Sequence, residues 1–248
     1  MNTNDRQELG TFVNEHIVTF HQARLDALGK INLNNVLKKK NPYLFRAKNI
    51  TVASDLVSAI MNAYLSSSEE AIFGGFLEEL AIHVSQRACG GWKSTAPGLD
   101  LEFDREGKRY IVAIKSGPNW GNSSQYAKLR DNFQSARKVL GQSKSVGQVQ
   151  PVLGICYGKS PFRDNGLYWK IAGQRFWYFL CGDRDLYKDL IEPIGFEAKR
   201  HNDDFEQSRG AILNNLTAEF IKRFCSSDGS IAWGELIAFN SGNLKENE

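Results

Sequence analysis

Gly98-Leu99-Asp100-Leu101-Glu102-Phe103-Asp104-Arg105-Glu106-Gly107-Lys108-Arg109-Tyr110-Ile111-Val112-Ala113-Ile114-Lys115 is the stretch from which the fold is read. In its first part Leu99, Leu101 and Phe103 alternate with Asp100, Glu102 and Asp104, the period of a strand buried on one face. Arg105-Glu106-Gly107-Lys108 makes a turn. Tyr110-Ile111-Val112-Ala113-Ile114 then runs apolar on both faces, as a central strand covered on both sides must, and it ends at Lys115. Two adjacent strands joined this closely bring Asp100 and Lys115 to the same sheet edge.

Upstream, Leu9, Phe12, Ile17 and Phe20 recur at near-helical spacing, before a polar stretch at Asn32-Leu33-Asn34-Asn35. Ser54 precedes a second helical stripe, Leu56, Val57, Ile60, Met61 and Tyr64. Ser66-Ser67-Ser68-Glu69-Glu70 contains two overlapping Ser-x-x-Glu capping boxes, which predict that a third helix begins there and buries Phe73, Phe76, Leu77, Leu80 and Val84. Downstream, Ser123 or Ser124 is placed to cap a fourth helix with Tyr126, Leu129, Phe133, Ala136 and Leu140 inward, and Gly141 to end it. Residues 149–157 read as a strand, followed by helical segments near 174–181, 185–191, 203–225 and 231–239. The order predicts an α/β (α+β) fold with a mixed central sheet flanked by helices. We expect one domain over 1–248, with a helical N-terminal region (1–66), a core (67–157) and a mostly helical C-terminal region (158–248).

A chain of 248 residues with 42% hydrophobic and 24% charged content is ordinary for a folded soluble protein. No apolar run approaches the roughly 20 residues that cross a bilayer. Met1-Asn2-Thr3-Asn4-Asp5 lacks the layout of a secretory signal, so we expect an intracellular protein with no membrane partner. Cys89, Cys156, Cys181 and Cys225 are far apart, without zinc spacing, and read as buried free thiols. His16, His21, His83 and His201 form no spaced pair and read as structural or exposed. A net charge of +3 does not by itself mark a nucleic-acid binder. Two basic sets stand out: Lys38, Lys39, Lys40, Arg46 and Lys48, and Lys128, Arg130, Arg137, Lys138 and Lys144. Each taken alone reads as a solvated face.

Divalent-metal cleavage of a phosphodiester requires carboxylates at the end of a rigid element and a cation to stabilise the attacking water or the developing charge. Asp100 and Lys115 suit that task, and magnesium prefers oxygen ligands of this kind. The sequence Gly98-Leu99-Asp100, 14 intervening residues, and then Lys115 within Val112-Ala113-Ile114-Lys115-Ser116-Gly117 resembles the signature of the PD-(D/E)xK nuclease superfamily. There an Asp begins one strand and an acid-x-Lys triplet ends the next. Gly75-Phe76-Leu77-Glu78-Glu79-Leu80 is similar to the first core helix of that superfamily, and Ile114 to Asn122 looks like a subset of type II restriction endonucleases. The resemblance covers about residues 70–157. It implies a restriction-endonuclease-like core, Mg²⁺ as cofactor with Mn²⁺ able to substitute, and double-stranded DNA as substrate. It also implies a homodimer and a cognate DNA methyltransferase in a bacterial or archaeal cell.

The first position of the triplet is Ala113, whose methyl cannot ligate a metal. The resemblance allows the acid to come from elsewhere, and Glu78, Glu79 and Glu102 are the candidates. Glu102 shares the strand face of Asp100 about 7 Å away, where a solvated position weighs equally. Of Glu78 and Glu79, motif placement favours Glu78. The alternatives are a silent DNA-binding protein, motivated by Ala113, and a repair or recombination nuclease of the same superfamily. Ser116 and the donor-rich run Asn119-Trp120-Gly121-Asn122-Ser123-Ser124-Gln125, which opens a helix N-terminus, are candidate DNA-backbone contacts. Lys159, Arg163 and Asn165 sit on a polar loop and are candidate base contacts, because Arg and Asn pair bidentately with G and A.

Overall fold

The computed structural model describes residues 3–142 and 147–244. Its elements run α1 (Thr3–Gly29), α2 (Leu33–Lys39), α3 (Pro42–Ala47), α4 (Ala53–Cys89), β1 (Trp92–Lys93), β2 (Leu101–Arg105), β3 (Lys108–Lys115), α5 (Ser123–Leu140), β4 (Gln148–Ile155), β5 (Arg163–Asp164) and β6 (Trp169–Ala172). They continue with α6 (Gln174–Cys181), α7 (Leu186–Asp189), α8 (Ile191–Ile194), α9 (Ala198–Phe224) and α10 (Trp233–Ser241). Two compact units emerge, one from residues 1–18 and 73–196, the other from 19–72 and 197–248.

The first unit holds a six-stranded mixed sheet in the order β1-β2-β3-β4-β6-β5. β2 and β3 form the hairpin read from the sequence, with Leu101 opposite Val112 and Arg105 opposite Lys108. Its turn places Glu106 (φ 51°) and Gly107 (φ 71°) in the left-handed region, the demand of a two-residue turn that follows the strand twist. Glycine meets that demand without a Cβ penalty. β3 pairs with β4 in parallel, and β4 with β6 likewise. α5 makes the crossover between β3 and β4, the connection that a parallel pair requires.

α5 covers one sheet face by burying Leu129, Phe133 and Ala136 against Ile111, Ala113, Leu153 and Ile155. On the other face α6 sets Phe179 5.4 Å from Phe103 and 5.2 Å from Tyr110, ring centre to ring centre. This double covering explains why β3 is apolar on both sides.

The second unit is helical. Leu56, Val57, Ile60, Met61 and Leu65 pack with Leu33, Val36, Leu37, Phe45, Phe220 and Leu236 in one core. α2 begins within the Asn32–Asn35 stretch read as polar, and α3 follows it. Asn32 accepts from the Asn35 amide, so an asparagine of the polar stretch is a helix cap, and Asn41 caps α3 by accepting from the amides of Tyr43 and Leu44.

The serines at 66–68 do not start a helix, because α4 runs unbroken for 37 residues. Ser67 Oγ instead donates back to the Ala63 carbonyl at 3.0 Å. Mid-helix hydroxyls have that alternative to capping, and it defeats the capping-box reading. The fourth helix starts where expected, but its cap is Asn122 in place of Ser123 or Ser124. Asn122 accepts from the Gln125 amide, and the Gln125 side chain accepts from Asn122 N–H, a reciprocal box.

Candidate active site

The hairpin ladder extends one residue past β2. Asp100 N–H donates to Val112 O at 2.9 Å, which sets Asp100 level with Ala113. Asp100 Oδ2 in turn accepts the Ile114 amide at 2.6 Å, so the carboxylate is fixed by the strand beside it. Lys115 Nζ lies 3.9 Å from the same oxygen, with the lysine side chain 31% and the aspartate side chain 18% exposed. Lys115 is steadied from the other side by Trp120, its ammonium 5.5 Å from a ring centre. The structure therefore brings together the two residues that the sequence singles out, at an edge that solvent reaches.

The three candidate acids have different surroundings. Glu78, on α4, is half-buried, and burial holds its carboxyl above the ordinary carboxylate range. Asp100 and Glu79 push it further up, while Lys93 and Lys115 pull it down. Those influences mark Glu78 as a neighbour of the Asp100–Lys115 pair. Glu79 is solvent-exposed. Glu102 is 5% exposed yet fully engaged, accepting Ser94 Oγ–H at 2.8 Å and Arg109 at 3.4 Å. Arg109 also grips Asp104 and lies over the Trp92 ring at 4.7 Å. Glu102 thus belongs to a structural network on the hairpin. Ala113 has no exposed surface and joins the apolar core under α5.

Among the described residues no three His, Cys, Asp or Glu side chains cluster as a complete metal cage. Asp100 and Glu78 nevertheless suit a divalent cation: both are oxygen donors, and a cation beside Glu78 would oppose the upward push of Asp100 on its carboxyl. Burial first, and then these two acids, push the nearby Cys156 thiol up to about 12, which keeps it protonated and a poor ligand.

The loop after Lys115 is stitched to the loop after β4. Tyr157 N–H donates to Ser116 O at 3.1 Å, and a Cβ at Gly117 would collide with the Tyr157 ring, so a larger residue there must displace that ring. Ser116 also packs on α4, where a Cβ at Gly74 would lie 3.6 Å from it. Asn119, Ser123, Ser124 and Gln125 are exposed, with Ser124, Gln125 and Asn122 tied up in the cap of α5. The Trp120 indole is half-buried against Tyr126, and its buried N–H has no hydrogen-bond partner among the described residues. Lys159 is exposed, and Arg163 is on the edge strand β5. The Asn165 side chain accepts from Leu167 and Tyr168 amides, a turn-forming role that satisfies the oxygen needed for base reading.

Of the second basic set, Lys128, Arg130, Arg137 and Lys138 are exposed on α5, and Lys144 lies outside the described residues. Of the first set, Lys40 is structural, donating to Ala63 O at 2.7 Å. The histidines stack: His83 and His16 sandwich Phe12, and His21 lies 4.3 Å from His201, with burial holding His21 down at about 4. All four cysteines are free, but only Cys156 is fully buried. The sequence reading missed Lys93, Cys156 and Tyr157 as neighbours of the site. Their positions depend on strand neighbours distant in sequence, and no local spacing encodes that.

No helix among the described residues is long and apolar enough to cross a membrane. None of the curated proteins compared with the chain matches it. Residues 7–202 match the model of the type II restriction endonuclease EcoO109I family, a span that takes in the hairpin, α5, the parallel strands and the Asp100–Lys115 pair. The chain belongs to the type II restriction endonuclease EcoO109I family.

Proposed function

We propose that this protein is a Mg²⁺-dependent endodeoxyribonuclease that hydrolyses phosphodiester bonds in double-stranded DNA at a short specific sequence. Its family is one of nucleases that generally use a divalent metal. The observation that carries the reading is the Asp100–Lys115 pair, 3.9 Å apart at one sheet edge, with the half-buried Glu78 beside it. Asp100 and Glu78 would hold the metal, with Mn²⁺ able to substitute for Mg²⁺. When bound, the cation supplies Lewis-acid stabilisation of the charge developing on the phosphoryl oxygens. Lys115 offers three donors and no acceptor, so it orients the attacking water and stabilises it as it loses its proton. Trp120 and the Ile114 amide keep Lys115 and Asp100 in place before substrate arrives. Half-buried Ser116, exposed Asn119 and the first turn of α5 would contact the substrate backbone, where phosphate contacts fix register. A homodimer cutting one strand per subunit matches the two-fold symmetry of a palindromic site. A DNA methyltransferase of the same specificity would protect the host's own sites.

The complete burial of Ala113 favours a second reading, a DNA-binding protein that has lost cleavage. A gel shift in Ca²⁺ followed by a switch to Mg²⁺ separates the two. Ca²⁺ accepts oxygen ligands in looser geometry, so binding without cutting is expected before the switch. Discrete fragments after it support the nuclease. A shift that never yields fragments, in Mg²⁺ or Mn²⁺, supports the silent binder. Neither shift nor fragments would remove DNA as substrate.

A further inference from the structure

We infer that the cleft at the carboxyl ends of β4 and β6 is a second phosphate-binding station beside the reaction centre, with Arg175 and Lys159 as its cations. The inference rests on the nuclease reading and extends it to residues of α6 and the loop after β4.

The cleft has a volume of about 780 Å³ and begins at Cys156, the residue after Ile155, which pairs with Lys115 across the β3–β4 ladder. Strand spacing therefore sets the near wall about 5 Å from the Lys115 strand and the far wall, at β6, about 10 Å away. Cys156 N–H donates to Lys115 O at 2.9 Å, so this wall and the catalytic lysine share one rigid ladder. A polynucleotide with its scissile group at Lys115 passes its neighbouring phosphate across this opening.

The lining carries the chemistry of an anion site. It contains no acid. Lys159 and Arg175 are both exposed, and neither makes an ion pair with a described residue. The phenols of Tyr157 and Tyr187 border the same space, with Tyr157 56% exposed and anchored through its backbone to Ser116. A planar guanidinium with five donors matches two oxygens of a phosphate, and an ammonium adds a point charge. The backbone shape is enforced: Gly173, the residue before α6, has φ 57°, and a Cβ there would run into the Gly158 carbonyl. A surface kept open by that contact, free of acids and lined with unpaired cations, recognises a phosphodiester.

The test compares the wild type with Lys159→Ala/Arg175→Ala and with Arg175→Lys, binding duplex DNA in Ca²⁺ between 50 and 200 mM salt. Each lost phosphate contact lowers the salt slope by about 0.9. Loss of two contacts means that wild-type affinity falls about 12-fold more over this range than that of the double variant. Arg175→Lys should keep the wild-type slope, since the charge remains. An unchanged slope in the double variant, with wild type still cutting, overturns this inference and leaves the nuclease reading standing. A wild type that neither shifts nor cuts DNA overturns both.

Discussion

Replacing Lys115 with methionine separates the contribution of its charge to stability from its contribution to cleavage. Methionine keeps the aliphatic stem beside Trp120 and removes only the ammonium. At 3.9 Å from Asp100 Oδ2, the lost attraction at an effective dielectric near 20 is about 4 kcal/mol before solvation is counted. With the two side chains 31% and 18% exposed, water screens most of it, and measured pairs of this kind contribute about 0–1 kcal/mol. For a chain of this size that is a change in melting temperature of about 4 °C at most. The loss in cleavage should be far larger, because a positioned proton-transfer or charge-stabilising group contributes about 100-fold to 10,000-fold. A loss of 100-fold corresponds to about 2.7 kcal/mol in the barrier. Single-turnover cleavage of supercoiled plasmid in Mg²⁺, with a gel shift in Ca²⁺ and a thermal melt, reads all three quantities. Binding and melting should stay close to wild type while cleavage falls at least 100-fold. Cleavage within a few-fold of wild type would refute the assignment of Lys115.

Glu78→Gln should abolish Mg²⁺-dependent cleavage and also raise the melting temperature of the metal-free protein at neutral pH. Burial and Asp100 raise the Glu78 carboxyl above its unfolded value, so the folded state binds the proton more tightly and loses stability as pH climbs between the two values. A variant that cuts normally, or melts lower at neutral pH, contradicts this. Glu102→Ala should cost about 1–3 kcal/mol of stability by leaving Arg109 and Ser94 short of a partner. Its cleavage should survive under stabilising conditions, and lost cleavage with an unchanged melt would return Glu102 to the metal set. Asn122→Ala removes the cap of α5 and should cost about 1 kcal/mol by chemical denaturation. A change below about 0.3 kcal/mol would mean that the Gln125 half of the box suffices.

The hairpin was legible because its two periods are local: alternation for a strand with one apolar face, and an unbroken apolar run for one covered twice. α5 was legible from its stripe. What escaped depends on partners distant in sequence. β6 is four residues long, and nothing in Trp169-Lys170-Ile171-Ala172 announces a strand until β4 supplies its neighbour. Ser66 to Ser68 carry a local start signal that the packing of α4 overrides. At the candidate site, Asp100 and Lys115 were singled out by strand placement and motif resemblance, whereas the different surroundings of the three acids needed the fold. Glu102 and Asp100 alternate onto one strand face, yet Arg109 and Ser94 claim Glu102, and no sequence pattern records that.

On the proposed reading the metal-holding carboxylates come from separate elements, Asp100 from the hairpin and Glu78 from α4, in place of two neighbouring strands. The site then depends on how closely α4 approaches the loop after β3. Gly74, one helical turn before Glu78, is at that approach, and a Cβ there would sit 3.6 Å from both Cβ and Oγ of Ser116. That is ordinary contact, so Gly74→Ala should fit and, by replacing a mid-helix glycine, stabilise the protein by about 1 kcal/mol. Gly74→Leu adds three further carbons beyond that contact, beside Ser116, and is expected to push α4 away from it. The displacement removes no ligand and no charge, yet it draws Glu78 away from Asp100. We expect Gly74→Ala to cut as wild type with a higher melting temperature. Gly74→Leu should need much more Mg²⁺ for the same cleavage rate while keeping its duplex affinity within a few-fold. Should Gly74→Leu fold and show the wild-type Mg²⁺ requirement, the helix does not supply a metal ligand, and Glu78 leaves the active site.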